Sequence, residues 1–114
     1  MNDQSMQIFK LQADICKTLS DPNRLVIIHA LREGEKSVGE LVSILGTPQG
    51  NVSRNLGILR GRGIVLSRRE GNTIYYRLAS PKIGEACDIV RGFLQSNLAR
   101  NQELLSSLRT DNNS

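Results

Sequence analysis

Long apolar runs, cysteine and histidine are all scarce in this 114-residue chain. No run of eighteen apolar residues is present, so no membrane-spanning helix and no membrane contact are expected. The polar N-terminus lacks the continuous apolar segment of a secretory signal. The two cysteines, Cys16 and Cys87, are 71 positions apart and do not make a disulfide scaffold. We therefore expect a cytoplasmic protein.

The residue patterns of familiar enzyme sites are missing as well. Paired carboxylates, a nucleophile supported by a histidine and a phosphate-binding loop are not evident in the sequence. Gly61 and Gly63 end a predicted helix and do not form a Gly-x-Gly-x-x-Gly fingerprint. The single histidine, His29, is more typical of a hydrogen-bonded residue at the edge of the core than of a ligand. The sequence therefore predicts no enzyme, no metal site and no cofactor.

Basic charge is concentrated in residues 48–77. This stretch holds six arginines against one acidic residue, Glu70, which gives it a charge of +5 in a chain whose total is +4. The other 84 residues therefore sum to −1, so the basic charge is local. The stretch is predicted to form a helix followed by a two-stranded hairpin. Arginines on such elements are typical of proteins that dock a helix on duplex DNA.

The periodicity of the apolar residues predicts a mainly α-helical single domain over residues 1–108, followed by a flexible polar tail at residues 109–114. Five helices are expected at about residues 4–19, 22–32, 38–45, 48–60 and 81–108. Two β-rich runs, at residues 64–69 and 73–78, are separated by Glu70-Gly71-Asn72. They are expected to form a β-hairpin between the fourth and the last helix.

Three of the predicted helices begin with capping signals. An Asp-Pro pair at residues 21–22 supplies an N-cap and then proline at the first helical position of the second helix. Ser37 and Glu40 form a capping box for the third helix. Thr47 is expected to cap the fourth helix, with Pro48 at its first position. The third and fourth helices are joined by a short Gly-Thr turn, so a helix-turn-helix is expected.

The fourth helix has an apolar side and a polar side. Its apolar residues recur at helical spacing and are expected to face the core: Val52, Leu56 and Leu59. The polar residues of its first two turns are expected to face solvent: Gln49, Asn51, Ser53, Arg54 and Asn55.

The first and last helices have more apolar surface than one small core needs. The first helix has two apolar stripes, and the last helix is long and amphipathic. We expect the first helix to be covered on one side by the core of its own chain and on the other by something else, and both helices to form the interface of a homodimer.

These elements, in this order, form a winged helix-turn-helix, in which the β-hairpin is the wing. The sequence resembles the ArsR/SmtB family of bacterial and archaeal repressors over residues 16–94, in the segments LSDPNRLVIIHAL, SVGELVSILG, PQGNVSRNLGILRGRGIV and SRREGNTIYYRL. The resemblance implies a repressor of transcription that binds double-stranded DNA. It also implies that the helix at residues 48–60 lies in the major groove and that the wing lies along the backbone or the adjacent minor groove. A twofold dimer would read an inverted repeat.

The polar residues of the fourth helix would then read bases, and the arginines of the hairpin would hold the DNA backbone. Amide side chains suit adenine and arginine suits guanine, so the expected readers are Gln49, Asn51, Ser53, Arg54 and Asn55. The expected phosphate contacts are Arg68, Arg69 and Arg77.

The metal-sensing motifs of the family are absent. Metalloid-sensing members have a Cys-x-Cys at the start of the third helix, where this chain has Ser37 and Gly39. Zinc-sensing members use pairs of acidic residues and histidines on the last helix, where Glu85 and Asp88 stand without a histidine. A zinc site is therefore not expected.

The two cysteines leave three interpretations open. Both lie on apolar stripes, where cysteine commonly packs as a small buried hydrophobe, and neither has a basic neighbour that clearly lowers its pKa. Family members that sense oxidants or reactive sulfur have their cysteines at positions that match His29 and lie near Gln95. Because the first and last helices pack together in the family, Cys16 and Cys87 are instead candidates for a thiol switch, within or across the dimer. A metalloid site completed by a partner subunit is the third interpretation.

Two other functions remain open at this point. A repressor that responds to no effector would need neither cysteine, and the effector is not identified by the sequence. A winged helix that binds another protein would not need arginines on both the helix and the wing, and steeply salt-dependent duplex binding would exclude it.

Overall fold

The computed structural model describes residues 1–112 and confirms a mainly helical winged helix-turn-helix. Its elements are α1 (Asp3–Thr18), α2 (Pro22–Leu31), β1 (Lys36–Ser37), α3 (Val38–Leu45), α4 (Gln49–Gly61), β2 (Val65–Glu70), β3 (Thr73–Leu78) and α5 (Pro81–Asn112). The short strand β1 was not predicted. It pairs antiparallel with β3, so the sheet has three strands in the order β1-β3-β2. Among the described residues, no helix is long and apolar enough to cross a membrane.

The chain divides into two compact units. The first comprises residues 1–84 and includes every element up to the first turn of α5. The second begins at Glu85 and contains the rest of α5. The helix continues to Asn112, four residues beyond the predicted end. The prediction stopped at residue 108 because residues 109–112 are polar and show no apolar periodicity. The last two residues of the predicted tail, 113–114, lie outside the described residues.

The core of the first unit lies where α2, α3, α4 and β2 meet. Its fully buried apolar side chains are Ile27 and Ile28 of α2, Leu41 of α3, Val52, Leu56 and Leu59 of α4, and Val65 of β2. Burying an aliphatic side chain of this size stabilises the fold by roughly 1.5–3 kcal/mol. With three of these seven residues, α4 is held firmly along one side.

Two predicted helix caps are confirmed. The Asp21 carboxylate accepts hydrogen bonds from the backbone N–H groups of Asn23, at 2.9 Å, and Arg24, at 3.2 Å. The Ser37 hydroxyl accepts from the Glu40 N–H at 3.2 Å, and the Glu40 carboxylate accepts from the Ser37 N–H at 3.1 Å. These bonds satisfy N–H groups that a helix leaves unpaired at its start.

The start of α4 differs from the prediction. The N-cap is Pro48, with an extended ψ of 149°, and not Thr47. The Pro48 carbonyl accepts from the N–H groups of Asn51, at 3.0 Å, and Val52, at 3.3 Å. A proline φ of −58° suits both a helix and an extended chain, so the Thr-Pro pattern did not distinguish the two positions. The Thr47 hydroxyl is buried and accepts no hydrogen bond from a helix N–H.

The hairpin turn consists of two residues, Gly71 and Asn72, between β2 and β3. Gly71 has a φ of 61°, in the left-handed region that favours glycine. A glycine at the first position of a two-residue turn suits the twist of the flanking strands. The turn therefore fixes the register from Glu70 opposite Thr73 to Val65 opposite Leu78.

The terminal helices leave much of their apolar surface exposed. The single buried residue of α1 is Thr18, and among its apolar side chains only Ile15 is half-buried, as is the C-cap residue Leu19. The expectation that the core of the same chain covers one whole side of α1 is therefore wrong. In the second unit, the exposed apolar side chains of α5 are Ile89, Val90, Phe93, Leu94, Leu98, Leu104, Leu105 and Leu108.

Candidate nucleic-acid interface

The buried side of α4 includes one polar residue. Val52, Leu56 and Leu59 are fully buried, as predicted, but Asn55 is also only 1% exposed. The prediction that Asn55 faces solvent is therefore wrong. Position 55 lies three residues after Val52 and four before Leu59, so the helix places it on the apolar side whatever its polarity.

The exposed edge of α4 consists of the other predicted readers. Gln49, Ser53 and Arg54 are exposed, and Asn51 is half-buried at the boundary between the exposed and buried sides. These four residues occupy the first turns of the helix. This is the part of a recognition helix that reaches base edges in the major groove.

A chain of hydrogen bonds accounts for the buried Asn55 amide. Arg24 of α2 donates from Nε to Asn55 Oδ1 at 3.1 Å and from Nη1 to the backbone carbonyl of Thr18 at 2.8 Å. Asn55 in turn donates from Nδ2 to Asn51 Oδ1 at 3.0 Å. The amide is therefore bonded at both ends, as a buried polar group must be. Arg24, which connects the end of α1 to α4, was not among the predicted site residues.

The three arginines predicted to act together on the hairpin lie on two different faces. Arg77 is paired with Leu66 and Arg68 with Tyr75. Paired residues share a face, and so do residues two apart along a strand, so Arg68 and Arg77 lie on the same face. Arg69 follows Arg68 directly and lies on the opposite face. Arg69 and Arg77 are both exposed.

Arg68 is held by two carboxylates and an aromatic ring. Its Nε lies 2.9 Å from both carboxylate oxygens of Glu35, and its Nη2 lies 2.6 Å from Glu35 Oε1. Its Nη1 lies 2.9 Å from Glu70 Oε2, and its guanidinium carbon lies 4.7 Å from the centre of the Tyr75 ring. We call these four residues the Arg68 clasp. Because Glu35 directly precedes β1, the clasp ties the hairpin to the segment between α2 and β1.

The contacts within the clasp shift the pKa values of Glu35 and Arg68. The hydrogen bond from Arg68 lowers the pKa of Glu35 below its usual 4.5 against the opposing effect of desolvation, and the charges of Arg68 and Arg77 contribute in the same direction. The hydrogen bonds to Glu35 and Glu70 raise the pKa of Arg68. Two carboxylates therefore offset the charge of Arg68. In the part of the chain that the structure describes, Arg54, Arg69 and Arg77 pair with no carboxylate.

The start of α4 and the tip of the hairpin border one open groove. It is lined by the start of α3, by the first residue of α4 and by the hairpin tip: Ser37, Val38, Gly39, Gln49, Asn72, Thr73 and Ile74. The fold therefore brings Gln49 close to hairpin residues that lie more than twenty positions away in the sequence. The recognition helix and the wing share one surface of the first unit.

The two cysteines lie in different settings. Cys16 is exposed on α1 in the first unit, and Cys87 is half-buried on α5 in the second. The interpretation of Cys16 as a small buried hydrophobe therefore does not hold within one chain. Among the described residues, no three or more His, Cys, Asp or Glu side chains lie close enough together to hold a metal ion.

A helix-turn-helix followed by an arginine-bearing hairpin defines a winged helix-turn-helix protein. The family model described as "Bacterial regulatory protein, arsR family" matches residues 21–67. The HTH-type transcriptional regulator Rv0081 of Mycobacterium tuberculosis is 39% identical over 93% of this chain and 94% of its own length. The protein belongs to the ArsR family of transcriptional regulators.

Solved structures agree with this assignment. The crystal structure of Rv0081 matches with a TM-score of 0.74 and 40% identity, over 82% of this chain and 95% of that one. The homodimeric winged helix-turn-helix DNA-binding domain of Mb0332 from Mycobacterium bovis matches with a TM-score of 0.78 and 28% identity, over 88% and 93%. The transcriptional repressor BigR from Xylella fastidiosa matches with a TM-score of 0.71 and 38% identity, over 82% and 96%.

The clasp makes stability depend on the ionisation of Glu35. Because its pKa is lower in the folded state, its contribution is present above about pH 4.5 and is lost as the pH falls through the lower folded pKa. We expect Glu35→Gln to reduce the free energy of unfolding at pH 7, and the difference from the wild type to close in acid. Urea unfolding followed by circular dichroism measures this. Glu103→Gln, which changes an exposed glutamate of α5, is the control; a Glu35→Gln deficit that does not change with pH would contradict the assignment.

Proposed function

We propose that the protein is a repressor that binds an inverted-repeat operator in double-stranded DNA as a homodimer. The observation that carries the proposal is the exposed start of α4 beside a hairpin whose Arg69 and Arg77 have no carboxylate partner among the described residues. The charge of +5 over residues 48–77 gives this surface the sign that duplex DNA requires. A repressor and a homodimeric DNA-binding domain among similar structures support the same function.

Base readout is assigned to the exposed edge of α4. Gln49, Asn51, Ser53 and Arg54 offer amide, hydroxyl and guanidinium groups within the first turns of the helix. Such groups form hydrogen bonds with base edges in the major groove. Asn55 is removed from the set of readers, because its side chain is buried behind this edge.

Phosphate binding is assigned chiefly to Arg69 and Arg77. Because they project from opposite faces of the hairpin, they would reach phosphates on either side of the groove in which the wing lies. The role of Arg68 is to hold the hairpin through the clasp, since its charge is already offset by Glu35 and Glu70.

Replacing one residue assigned to phosphate binding and one assigned to base readout separates the two roles. Arg77→Gln should weaken binding to all duplexes and lower the slope of log affinity against log salt concentration by about one unit. Asn51→Ala should weaken binding to an operator duplex selected from a random library and leave binding to random DNA unchanged, because a base contact carries sequence information. Fluorescence anisotropy at several salt concentrations measures both effects.

Arg100→Gln is the control for Arg77→Gln, because it removes the same charge from the exposed surface of α5. If both arginine variants bind alike, the wing assignment is wrong. Duplex binding that does not respond to salt would favour a protein-binding role for the winged helix.

The homodimer is assigned to the terminal helices. Phe9 of α1 is 51% exposed and Phe93 of α5 is 64% exposed, and each lies among further exposed apolar side chains. Apolar surface of this extent on a small protein commonly marks an interface. A dimer also follows from the DNA, since one recognition helix covers only a half-site.

Charge placed in this surface should separate the subunits. We expect the wild type to sediment as a dimer at micromolar concentration and Phe93→Glu as a monomer, because a carboxylate loses its hydration in an apolar interface. Ile44→Glu introduces the same charge at an exposed apolar residue of α3 and should remain a dimer. A wild-type monomer, or equal dissociation of both variants, would contradict the assignment.

Release from DNA is assigned to thiol oxidation at Cys16 and Cys87. The support is that Cys16 and Cys87 lie on the two helices assigned to the dimer interface and that neither thiol is fully buried within one chain. In the proposed step, two thiols lose two electrons and two protons to a peroxide, a disulfide forms, and the peroxide is reduced to water.

Peroxide treatment of the wild type should form a Cys16–Cys87 disulfide, seen by mass spectrometry, and abolish operator binding. Cys16→Ser and Cys87→Ser should each bind the operator before and after treatment, because neither variant can form that link. If either serine variant still releases DNA, the thiol assignment is wrong. Absence of any response in the wild type would identify a repressor that responds to no thiol oxidant.

A further inference from the structure

The hydrogen-bond chain that ends at Asn51 has a fixed direction. Arg24 carries only donors, so the Asn55 atom that lies 3.1 Å from its Nε must be the carbonyl oxygen. Asn55 therefore turns its amide nitrogen, a donor only, toward Asn51. The Asn51 atom that meets it at 3.0 Å must be the acceptor, Oδ1. The amide nitrogen of Asn51 is the group left for another partner.

The first member of the chain is held in place by its own contacts. Arg24 Nη1 donates to the backbone carbonyl of Thr18 at 2.8 Å, and the Arg24 backbone N–H donates to the Asp21 carboxylate at 3.2 Å. Thr18 is itself buried, and its hydroxyl donates to the Asp14 carbonyl at 3.0 Å. The ends of two helices therefore hold the guanidinium, and the guanidinium determines the orientation of both amides.

We propose that Arg24 and Asn55 are positioning residues that hold Asn51 with its amide nitrogen toward the DNA. Asn51 then reads a hydrogen-bond acceptor on a base edge. In the major groove guanine and thymine present only acceptors, cytosine presents only its amino donor, and adenine presents both its N7 acceptor and its amino donor. Asn51 therefore prefers a keto base, guanine or thymine, over cytosine at the position it contacts. This inference rests on the proposed function and identifies the base chemistry that one of its readers recognises.

Reversing the direction of the hydrogen bond between Asn55 and Asn51 should reverse the base preference of Asn51. In Asn55→Asp, the carboxylate accepts from Arg24 and has no N–H to give, so Asn51 must turn its own nitrogen inward to donate. The Asn51 oxygen then faces the DNA and prefers an amino base. A purely structural role for Asn55 would weaken binding without moving the preference from one class of base to the other.

The experiment is selection of duplexes from a random library by the wild type and by four variants, followed by sequencing. Asn51→Ala identifies the base pair that Asn51 contacts, because preference is lost there alone. At that position we expect the wild type to favour a keto base over cytosine by about tenfold, and Asn55→Asp to favour cytosine over a keto base by a similar factor.

Two further variants serve as controls. Ser53→Asp adds the same negative charge to the exposed edge of α4, at a residue that takes no part in the hydrogen bonds from Arg24 to Asn51. It should weaken DNA binding without changing the base preference at the position that Asn51 contacts. Asn51→Asp keeps the acceptor for Asn55 but replaces the outward nitrogen by oxygen, so it should also favour an amino base. Because Asn51 is only half-buried, this variant tests the direction of the chain even if Asn55→Asp fails to fold.

The outcomes are distinguishable. If the wild type enriches no sequence, the proposed function is contradicted. If the wild type selects an operator but favours cytosine at the Asn51 position, only the inference fails. The inference also fails if folded Asn55→Asp, or Asn51→Asp, keeps the keto preference.

Discussion

The fourth helix must be anchored in the core along one side and remain free along the other, and the rest of the first unit depends on this constraint. Val52, Leu56 and Leu59 supply the anchor, and Gln49, Ser53 and Arg54 form the free edge. A helix held by three fully buried side chains cannot rotate without exposing them. The direction in which the free edge points is therefore set by the packing of the core.

Two polar contacts add orientation to this frame. The hydrogen bond from the half-buried Arg24 to the buried Asn55 sets which atom of Asn51 faces outward, and the Arg68 clasp holds the hairpin near the start of β1. Each contact uses an arginine that makes no DNA contact in this account. Because Arg68 is one of the six arginines of residues 48–77, the arginine count of that stretch overstates the charge available to DNA, while the arrangement of Arg69 and Arg77 on two faces widens the reach of the wing.

Much of the fold was predictable because it depends on local patterns. Apolar spacing located five helices, the Ser37–Glu40 box identified the start of α3, and Gly71 marked the hairpin turn. The rest depends on contacts between distant residues. Strand β1 has only two residues, too few to show a periodic pattern. Asn55 is polar and was expected to face solvent, because its hydrogen bond with Arg24 forms only in the folded protein. Glu35 and Arg68 are 33 positions apart, so no local pattern predicts their contact. Helical spacing from Val52 and Leu59 was the one available signal for Asn55.

The central claim is that the free edge of α4 and the tip of the hairpin meet DNA together. Backbone amide NMR spectra of the isotope-labelled protein, recorded as a selected operator duplex is added, test it most directly. We expect the largest chemical-shift changes to fall within residues 49–54 and 69–77, while the amides of Phe9 in α1 and Phe93 in α5 change little. Shift changes confined to α1 and α5, with residues 49–54 unaffected, would contradict it.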